Sequence, residues 1–411
     1  MRRRRYLAAL GAGASLSGCL RLTESQASPG GEATRTTTGG GTDAPSSAGD
    51  GGGSGAGAEA TTTTTTVTGS LSLSEAWSLD GFVPDVTAHD GRFYALVFAG
   101  DRALRAVDPD GTVAWTSDPL PENHFTGGRS KPFAFSDARA FVGLSGNDEV
   151  DAGRLFAVSR DDGSVDWQFE TPADGMHHNV SAVATAGDLV VCGVDDQGSG
   201  SDQEPFVVAL DRASGSVQWR TAAFDPSFVV DVVAVSDRLA VLTTKQTYVL
   251  DAATGEVTDT LERYVGFTGV AVRDGVLYTG GNPVTAYDLG AGETRWETQV
   301  VSPARTPPTL AGDSIFVGTS AGHVIRLDAA DGETVWQSRV RTEMREPPVT
   351  WRGYVWVTDE SGSLYAFRRA DGETALDRRP ADVSNTRPLA VVDDVLFVGR
   401  ETATAYRITA A

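Results

Sequence analysis

A short hairpin that recurs along the chain constrains the fold more than any other feature of the sequence. Its clearest copy runs from Val207 to Trp219: an apolar strand, an Asp, a turn closed by Gly, and a second strand that ends in Trp. Asp can accept hydrogen bonds from the turn backbone, and Gly adopts the positive φ that completes the turn. The segment therefore predicts a β-hairpin, and its copies predict a repeat protein.

The turn glycines of these copies are regularly spaced. They lie at positions 111, 163, 215, 255, 292, 332 and 372, at intervals of 52, 52, 40, 37, 40 and 40 residues. A period near 40 with strand-sized apolar runs is the length of one four-stranded propeller blade. The chain is therefore predicted to be all-β, an eight-bladed β-propeller of four-stranded antiparallel blades.

The two ends of the repeat region are complementary. Residues Leu71 to Trp77 read as a last strand without the three strands that should precede it, whereas residues 388–408 read as three strands that lack a fourth. We expect the N-terminal strand to complete the last blade, because this pairing closes the ring and removes an exposed sheet edge.

The first 70 residues have a different composition. Arg2 to Arg5 precede a short, weakly apolar run, as in a twin-arginine export signal, and Leu16 to Cys19 match a lipobox, in which the Cys carries the lipid. The Gly, Ser, Thr, Ala and Pro that follow bury too little apolar surface to fold. We expect a signal peptide over residues 1–18, the lipobox Cys and a disordered tether over residues 19–70, and the propeller over residues 71–411.

These signals predict export by the twin-arginine route and lipid anchoring on the outer face of the cell membrane. The formal net charge is -21, and removing residues 1–18, which contain four arginines, makes it -25. An acid-rich exported chain with only two lysines resembles proteins of extremely halophilic archaea, because molar salt shortens the Debye length to ~3 Å and screens self-repulsion. No basic stripe with interleaved aromatics is present, so a nucleic-acid partner is not expected.

The hairpin also resembles the PQQ-like propeller repeat, whose signature is Ala-x-Asp-x3-Gly-x3-Trp. The copies at residues 209–219 and 286–296 match it fully, and others match it in part. In this family the Trp of one blade docks between neighbouring blades. The resemblance therefore implies a structural role for Trp115, Trp167, Trp219, Trp296 and Trp336.

The resemblance implies two classes of function. Quinoprotein dehydrogenases of the family hold pyrroloquinoline quinone (PQQ) against a pair of adjacent cysteines, with a calcium ion. The only cysteines here are Cys19 and Cys192, and Cys192 lies in an apolar strand pattern typical of a buried thiol. PQQ and calcium are therefore not expected, and no catalytic residue is assigned. The other class contains BamB-like lipoproteins, which are non-catalytic eight-bladed scaffolds.

We therefore expect a monomeric, membrane-anchored extracellular scaffold that binds a protein or a cell-envelope component without a cofactor. Two alternatives stay open. One is a PQQ-dependent quinoprotein dehydrogenase that uses a cluster of histidines and carboxylates. The other is a sensor propeller that binds a sugar or a metal near the mouth of the central channel.

Blades two and three are longer than the others, and long loops on a rigid scaffold often carry function. The extra residues fall between second and third strands, and the connections between blades should emerge on the same face, because antiparallel strands alternate in direction. Whether this face binds a partner or a cation stays open. The candidate residues are His124, His177, His178, Asp148, Glu149, Asp151, Asp195, Asp196, Asp202 and Glu204. Asn179 also begins an N-glycosylation sequon, and whether this residue carries a glycan stays open.

Overall fold

The computed structural model describes residues 71–121, 133–146, 152–172, 178–196, 204–261, 268–378, 388–400 and 403–410. These residues form eight four-stranded antiparallel sheets, one for each blade. The eight-bladed propeller predicted from the repeat is thus confirmed. Within this part of the chain, no helix is long and apolar enough to cross a membrane. The predicted signal peptide, Cys19 and the tether lie outside the described residues.

The strands follow the blades in order. The chain begins with β1 (Leu71–Leu79). Blade 1 contains β2 (Phe82–His89), β3 (Arg92–Ala99), β4 (Asp101–Val107) and β5 (Val113–Thr116). Blade 2 contains β6 (Phe133–Phe135), β7 (Arg139–Leu144), β8 (Arg154–Ser159) and β9 (Val165–Glu170). Blade 3 contains β10 (His178–Ala186), β11 (Leu189–Asp196), β12 (Phe206–Asp211) and β13 (Val217–Thr221). Blade 4 contains β14 (Val229–Val235), β15 (Arg238–Thr243), β16 (Thr247–Asp251) and β17 (Val257–Leu261).

The second half repeats the arrangement. Blade 5 contains β18 (Val270–Arg273), β19 (Val276–Thr279), β20 (Val284–Asp288) and β21 (Glu293–Thr298). Blade 6 contains β22 (Thr309–Ala311), β23 (Ser314–Gly318), β24 (His323–Asp328) and β25 (Thr334–Arg339). Blade 7 contains β26 (Val349–Trp351), β27 (Tyr354–Thr358), β28 (Leu364–Arg368) and β29 (Thr374–Arg378). Blade 8 contains β30 (Leu389–Val392), β31 (Val395–Val398) and β32 (Ala403–Ala410).

The ring closes as the sequence predicted. Strand β1 pairs antiparallel with β32, from Leu71 opposite Ala410 to Leu79 opposite Ala403, and so becomes the outermost strand of blade 8. All eight outer strand pairs shift register once, a bulge that re-aims the outer strand. Each blade therefore ends in an irregular edge, which protects it from pairing with another chain.

The core lies between blades, because both faces of each sheet are covered. In β3, residues 93–97 are all at most 1% exposed. Phe93, Ala95 and Val97 pack on blade 8, whereas Tyr94 and Leu96 pack on blade 2. Strict alternation of side chains across the sheet sends every second residue to a different neighbour. Burying a large apolar side chain contributes roughly 1.5–3 kcal/mol, so this two-sided burial stabilises the stacking of the blades.

The disc has two unlike faces, which follow from strand direction. Innermost strands lead to second strands, and third strands to outermost strands, through turns on one face, here called the turn face. Second strands lead to third strands, and outermost strands to the next blade, on the opposite face, here called the loop face. The innermost strands β2, β6, β10, β14, β18, β22, β26 and β30 surround the central channel.

Candidate functional site

The hairpin turns of the turn face bond their own polar groups. Asp211 accepts hydrogen bonds from the hydroxyl (2.6 Å) and the backbone N–H (2.7 Å) of Ser214, and these bonds, the hydroxyl bond first, lower the pKa of Asp211. Gly215 has a φ of +74° and donates its N–H to the carbonyl of Asp211 (2.8 Å). The Asp and Gly of the repeat are therefore engaged in closing the turn. Equivalent side-chain bonds to turn N–H groups are made by Asp251, Asp288 and Asp328.

Six of the eight outermost strands carry a tryptophan that contacts the next blade. Trp167 in β9 donates its Nε1–H to the carbonyl of Arg212 in blade 3 (3.3 Å). The same bond joins Trp115 to Arg160, Trp219 to Ala252, Trp296 to Ala329 and Trp336 to Arg369. Trp77 in β1 makes the equivalent bond to Pro109, between blades 8 and 1 (2.9 Å). All six indoles span neighbouring blades, and each therefore packs between two sheets.

The loop face contains the connections that differ most between blades. Residues 145–153 in blade 2 and 197–205 in blade 3 join second to third strands, whereas residues 244–246 make this connection in blade 4. The candidates His124, His177, Asp148, Glu149, Asp151 and Asp202 lie outside the described residues. Glu204 is described and exposed beside β12.

Three candidates lie in strands and not in the loops suggested by the sequence. His178 lies opposite Asp196 and Asn179 opposite Asp195, so β10 and β11 continue as a paired hairpin past the predicted loop boundaries. His178 and Asp195 are 3% and 4% exposed. A carboxylate oxygen of Asp195 accepts the backbone N–H of Val229, which joins blade 3 to blade 4. His178 and Asp195 are thus enclosed at the strand ends, and Asp195 links two blades, so neither residue is part of an open loop surface.

The sequon residue is also buried. Asn179 is 7% exposed and pairs with Ser145 of blade 2 as well as with Asp195 of its own blade. A glycan on this amide would have to displace packed strands. The folded propeller therefore disfavours modification at Asn179.

The described residues do not fit the quinone chemistry of the dehydrogenase class. Cys192 is a free thiol buried in β11, and burial raises its pKa strongly. Such a thiol is protonated and enclosed, so it offers neither an adjacent disulfide nor a reactive thiolate for holding a quinone. Among the described residues, no three His, Cys, Asp or Glu side chains come together as a possible metal site.

Sequence reasoning missed a charged group at the loop-face mouth of the channel. Glu346 precedes β26 in blade 7, Arg400 follows β31 in blade 8, and Asp85 lies in β2 of blade 1. Nη2 of Arg400 stands 4.0 Å from Oε1 of Glu346. Desolvation, and then the negative charge of Asp85, raise the pKa of Glu346 to about 7 against the opposing effect of Arg400. No local motif links these three residues, which come from the two ends of the propeller sequence.

Family models identify the group to which this architecture belongs. The model described as Outer membrane protein assembly factor BamB matches residues 39–258 and 258–405. The chain belongs to this family. Membership of the BamB family confirms the predicted resemblance to PQQ-like propeller repeats. The lipoprotein character and the halophilic origin stay predictions.

Solved structures similar to this BamB-family chain share its fold. BamB from Moraxella catarrhalis is 19% identical, with a TM-score of 0.59 over 82% of this chain and 98% of that one. The C-terminal WD40 domain of Sif2 is 13% identical, with a TM-score of 0.64 over 82% and 98%. The quinohemoprotein alcohol dehydrogenase ADHIIG from Pseudomonas putida HK5 is 14% identical, with a TM-score of 0.51 over 79% and 66%. All three identities are low, so these likenesses show the propeller and do not separate scaffold from enzyme. Among curated proteins, no sequence match was found.

Proposed function

We propose that this BamB-family protein is a non-catalytic, membrane-anchored scaffold on the outside of the cell that binds a protein or an envelope component through its loop face. The contrast between the two faces of the disc carries the proposal. Turns of the turn face repeat the same bonds from blade to blade, as at Asp211, Asp251 and Asp288. The connections between second and third strands are longest in two adjacent blades, at residues 145–153 and 197–205, and the described strands on either side of them end at the loop face. Recognition needs such local departures from the repeat, because a partner must distinguish one part of the ring from the others.

The direction of β1 supports separate roles for the two faces, with anchoring at the turn face and binding at the loop face. Leu71 pairs with Ala410, the last residue of a third strand, and third strands end at the turn face. The chain that precedes Leu71 therefore joins the disc at the turn face. A lipid on Cys19 would be connected through that face, and the binding loops would lie on the other.

Loop-shortened variants test the binding face. In one variant, residues 147–151 and 198–202 are each replaced by Gly-Ser, and the control is Val217→Ser, which changes a side chain 52% exposed on the outer strand β13. Crosslinking on intact cells should give a defined set of crosslinked peptides from one partner with the native chain and the control. Loss of that set in the loop variant supports the loop face. An unchanged set in the loop variant contradicts it.

The lipid anchor has a separate test. Cys19→Ser should move the protein from the membrane fraction to the medium, because a Ser side chain cannot carry the thioether lipid. Cys192→Ser serves as the control and should stay with the membrane. Persistence of Cys19→Ser in the membrane fraction after a high-salt wash would contradict the lipobox interpretation.

An enzymatic function is the second candidate, favoured by the fold likeness to the quinohemoprotein alcohol dehydrogenase ADHIIG. Titration of the full chain with pyrroloquinoline quinone and calcium in molar salt tests it. A shift of the quinone spectrum with alcohol-dependent dye reduction would establish a dehydrogenase and refute the scaffold. Neither signal is expected, because Cys192 is buried and stands alone in its strand.

A further inference from the structure

A cavity of about 260 Å³ opens on the turn face at the seam between blades 2 and 3, and it is here called the seam cavity. Blade 2 lines it with residues 136–139, which join β6 to β7, and blade 3 lines it with Asp188 and with residues 211–213, which begin the hairpin turn after β12. Drug-sized ligands occupy pockets of roughly 300–1,000 Å³. The seam cavity therefore suits a smaller molecule.

The seam between blades 1 and 2 shows how an arginine closes the same space. Arg160, the first residue after the third strand of blade 2, donates its Nε–H to the phenol of Tyr94 (3.1 Å) and its Nη2–H to the carboxylate of Asp90 (2.7 Å), both in blade 1. Its Nη1–H groups donate to the carbonyls of Ser136 and Asp137 in its own blade (2.8 and 3.1 Å). The guanidinium thus joins both blades, and the side chain is only 12% exposed.

Arg369 closes the seam between blades 6 and 7 from the same position in blade 7. Its Nη2–H donates to the carbonyl of Ala311 in blade 6 (2.8 Å), and its Nη1–H donates to the carbonyl of Arg352 in its own blade (3.2 Å). The two closed seams therefore use different acceptors in the preceding blade. One uses a phenol with a carboxylate, and the other uses a backbone carbonyl.

Arg212 has the equivalent position in blade 3 but does not close its seam. Its carbonyl accepts the indole N–H of Trp167, as the carbonyl of Arg160 accepts that of Trp115. Its Nη2, however, lies 3.8 Å from the carboxylate of Asp188, beyond hydrogen-bond distance, and no described residue bonds its guanidinium. The Arg212 side chain is accordingly 35% exposed, and the seam cavity remains beside it.

Blade 2 offers Arg212 neither of the acceptors used elsewhere. Phe141 is the third residue of β7, as Tyr94 is the third residue of β3, so the phenol is missing. The carbonyl of Ser136, equivalent to that of Ala311, already accepts a hydrogen bond from Arg160 on the other side of the blade. The opening of this seam therefore follows from the residues that line it.

The side chains around the seam cavity present both signs of charge. The N–H donors of the Arg212 guanidinium lie on one side. On the other side lies the exposed carboxylate of Asp137, which accepts no hydrogen bond from the part of the chain that the structure describes. Two further charged groups are already engaged, because Asp211 closes its own turn and Arg139 bonds a carboxylate of its own blade (2.6 Å).

A ligand of a single charge does not match this arrangement. An anion would pair with Arg212 but would face the carboxylates of Asp137, Asp188 and Asp211, and a cation would pair with Asp137 but would face Arg212. A small zwitterion pairs with both, since its carboxylate can accept two parallel bonds from a guanidinium while its ammonium donates to a carboxylate. We propose that the seam cavity binds a free α-amino acid, with the carboxylate on Arg212 and the ammonium on Asp137.

Titration of the full chain in molar salt, followed by calorimetry and saturation-transfer NMR, tests the class of ligand. L-alanine, L-lysine and L-glutamate are the probes. Lysine should bind more tightly than glutamate, because the three Asp and two Arg that line the cavity leave one negative charge. N-acetylalanine and alanine amide each keep only one of the two charges. Both should bind about tenfold more weakly than alanine, because each loses a charge-assisted hydrogen bond.

Substitutions test the location of the site. Arg212→Gln and Asp137→Asn should each weaken the binding of alanine by about tenfold or more. The matched control is Asp90→Asn, which makes the same change at the equivalent turn of blade 1 and should leave binding unchanged. Phe141→Tyr supplies the missing phenol and should draw Arg212 into the seam. This variant should lose binding although it alters no residue that lines the cavity, and thermal melting of every variant checks its fold.

Three results would overturn the proposal. They are equal binding of alanine by the native chain and by either Arg212→Gln or Phe141→Tyr, equal affinities for alanine and its two singly charged analogues, and no saturation transfer from any of the three amino acids at millimolar concentration. The proposed scaffold function does not enter this test. The loop-shortened variant keeps every residue that lines the seam cavity and should bind alanine as the native chain does.

Discussion

Trp167 of blade 2 and Gly215 of blade 3 are in such close contact that the turn glycine has no room for a side chain. A β-carbon on Gly215 would stand 2.6 Å from Cδ2 of the indole. Gly111, Gly163, Gly332 and Gly372 are covered in the same way by Trp77, Trp115, Trp296 and Trp336. The glycine of the repeat thus has two functions, a positive φ within its own turn and a flat surface for the tryptophan of the preceding blade.

Substitution of Gly215 should therefore lower the free energy of unfolding by more than the strain of a positive φ alone would. Gly215→Ala forces both a positive φ and displacement of Trp167, and we expect a loss of roughly 2–4 kcal/mol in the free energy of unfolding. Gly275 has a similar φ, +77°, with no heavy atom within 4 Å of the added carbon. Gly275→Ala should lose only about 1–2 kcal/mol. Denaturant unfolding of both variants measures the difference. Equal losses of stability would show that the Trp167 indole can move aside without destabilising the fold.

Two buried tryptophans should respond differently to replacement by Phe. Trp356 is fully buried, and its Nε1 has no hydrogen-bond partner within the described ranges. Trp356→Phe removes this unbonded donor, a gain of about 1–3 kcal/mol, and leaves a small cavity that costs a similar amount. Trp336 donates to the carbonyl of Arg369 (2.9 Å), so Trp336→Phe loses a bond as well as volume. We expect Trp356→Phe to change the free energy of unfolding by no more than ~1 kcal/mol.

Trp336→Phe should be less stable than Trp356→Phe by roughly 1–3 kcal/mol in the same unfolding assay. Equal losses in the two variants would mean that the Trp336 hydrogen bond makes no net contribution.

Glu346 should make the protein less stable as the pH rises through neutrality. Its pKa is raised from 4.5 in the unfolded chain to about 7 by desolvation and by Asp85, with Arg400 opposing. A folded state that binds its proton more tightly loses stability as the pH rises between these two values, by about 3 kcal/mol at most. Glu346→Gln should therefore be more stable than the native chain at pH 8 and should flatten this part of the profile. The free energies of unfolding of the native chain and of Glu346→Gln at pH 5 and pH 8, at one ionic strength, measure this difference. Parallel pH profiles of the two proteins would contradict the assignment.

Asp251 should have the opposite pH dependence. Hydrogen bonds from the side chain and backbone of Thr254 lower the pKa of this turn carboxyl. A group with a lower pKa in the folded state stabilises the fold above its unfolded value of about 4, and this stability is lost as the pH falls through the folded pKa. Asp251→Ala should thus be less stable than the native chain at pH 7, with a difference that shrinks towards pH 3. Asp211→Ala, in the matching turn of blade 3, should show the same pH dependence of stability. A difference independent of pH would contradict the role of the ionised carboxylate.

Part of the candidate site was accessible to sequence reasoning, and part was not. Spacing alone located Trp167, Gly215 and Asp211, because their roles lie within a hairpin or between consecutive repeats. His178 and Asp195 were expected in loops, yet paired strands extend to both residues. From the sequence alone, a polar residue at a strand end cannot be distinguished from a loop residue, because the strand that buries it is distant along the chain.

The sequence by itself determined the number of blades, the hairpin chemistry and the closure by β1, since these follow from a local pattern repeated at a fixed period. Only the tertiary structure decided which groups share the channel mouth. Closure of the ring brings Asp85 to Glu346 and Arg400, although more than half of the chain separates Asp85 from the other two. The tertiary structure also showed that Arg212 leaves open a seam of the kind that Arg160 closes between blades 1 and 2. Local propensity sets what each repeat forms, whereas the geometry of a closed ring sets which side chains meet at its centre.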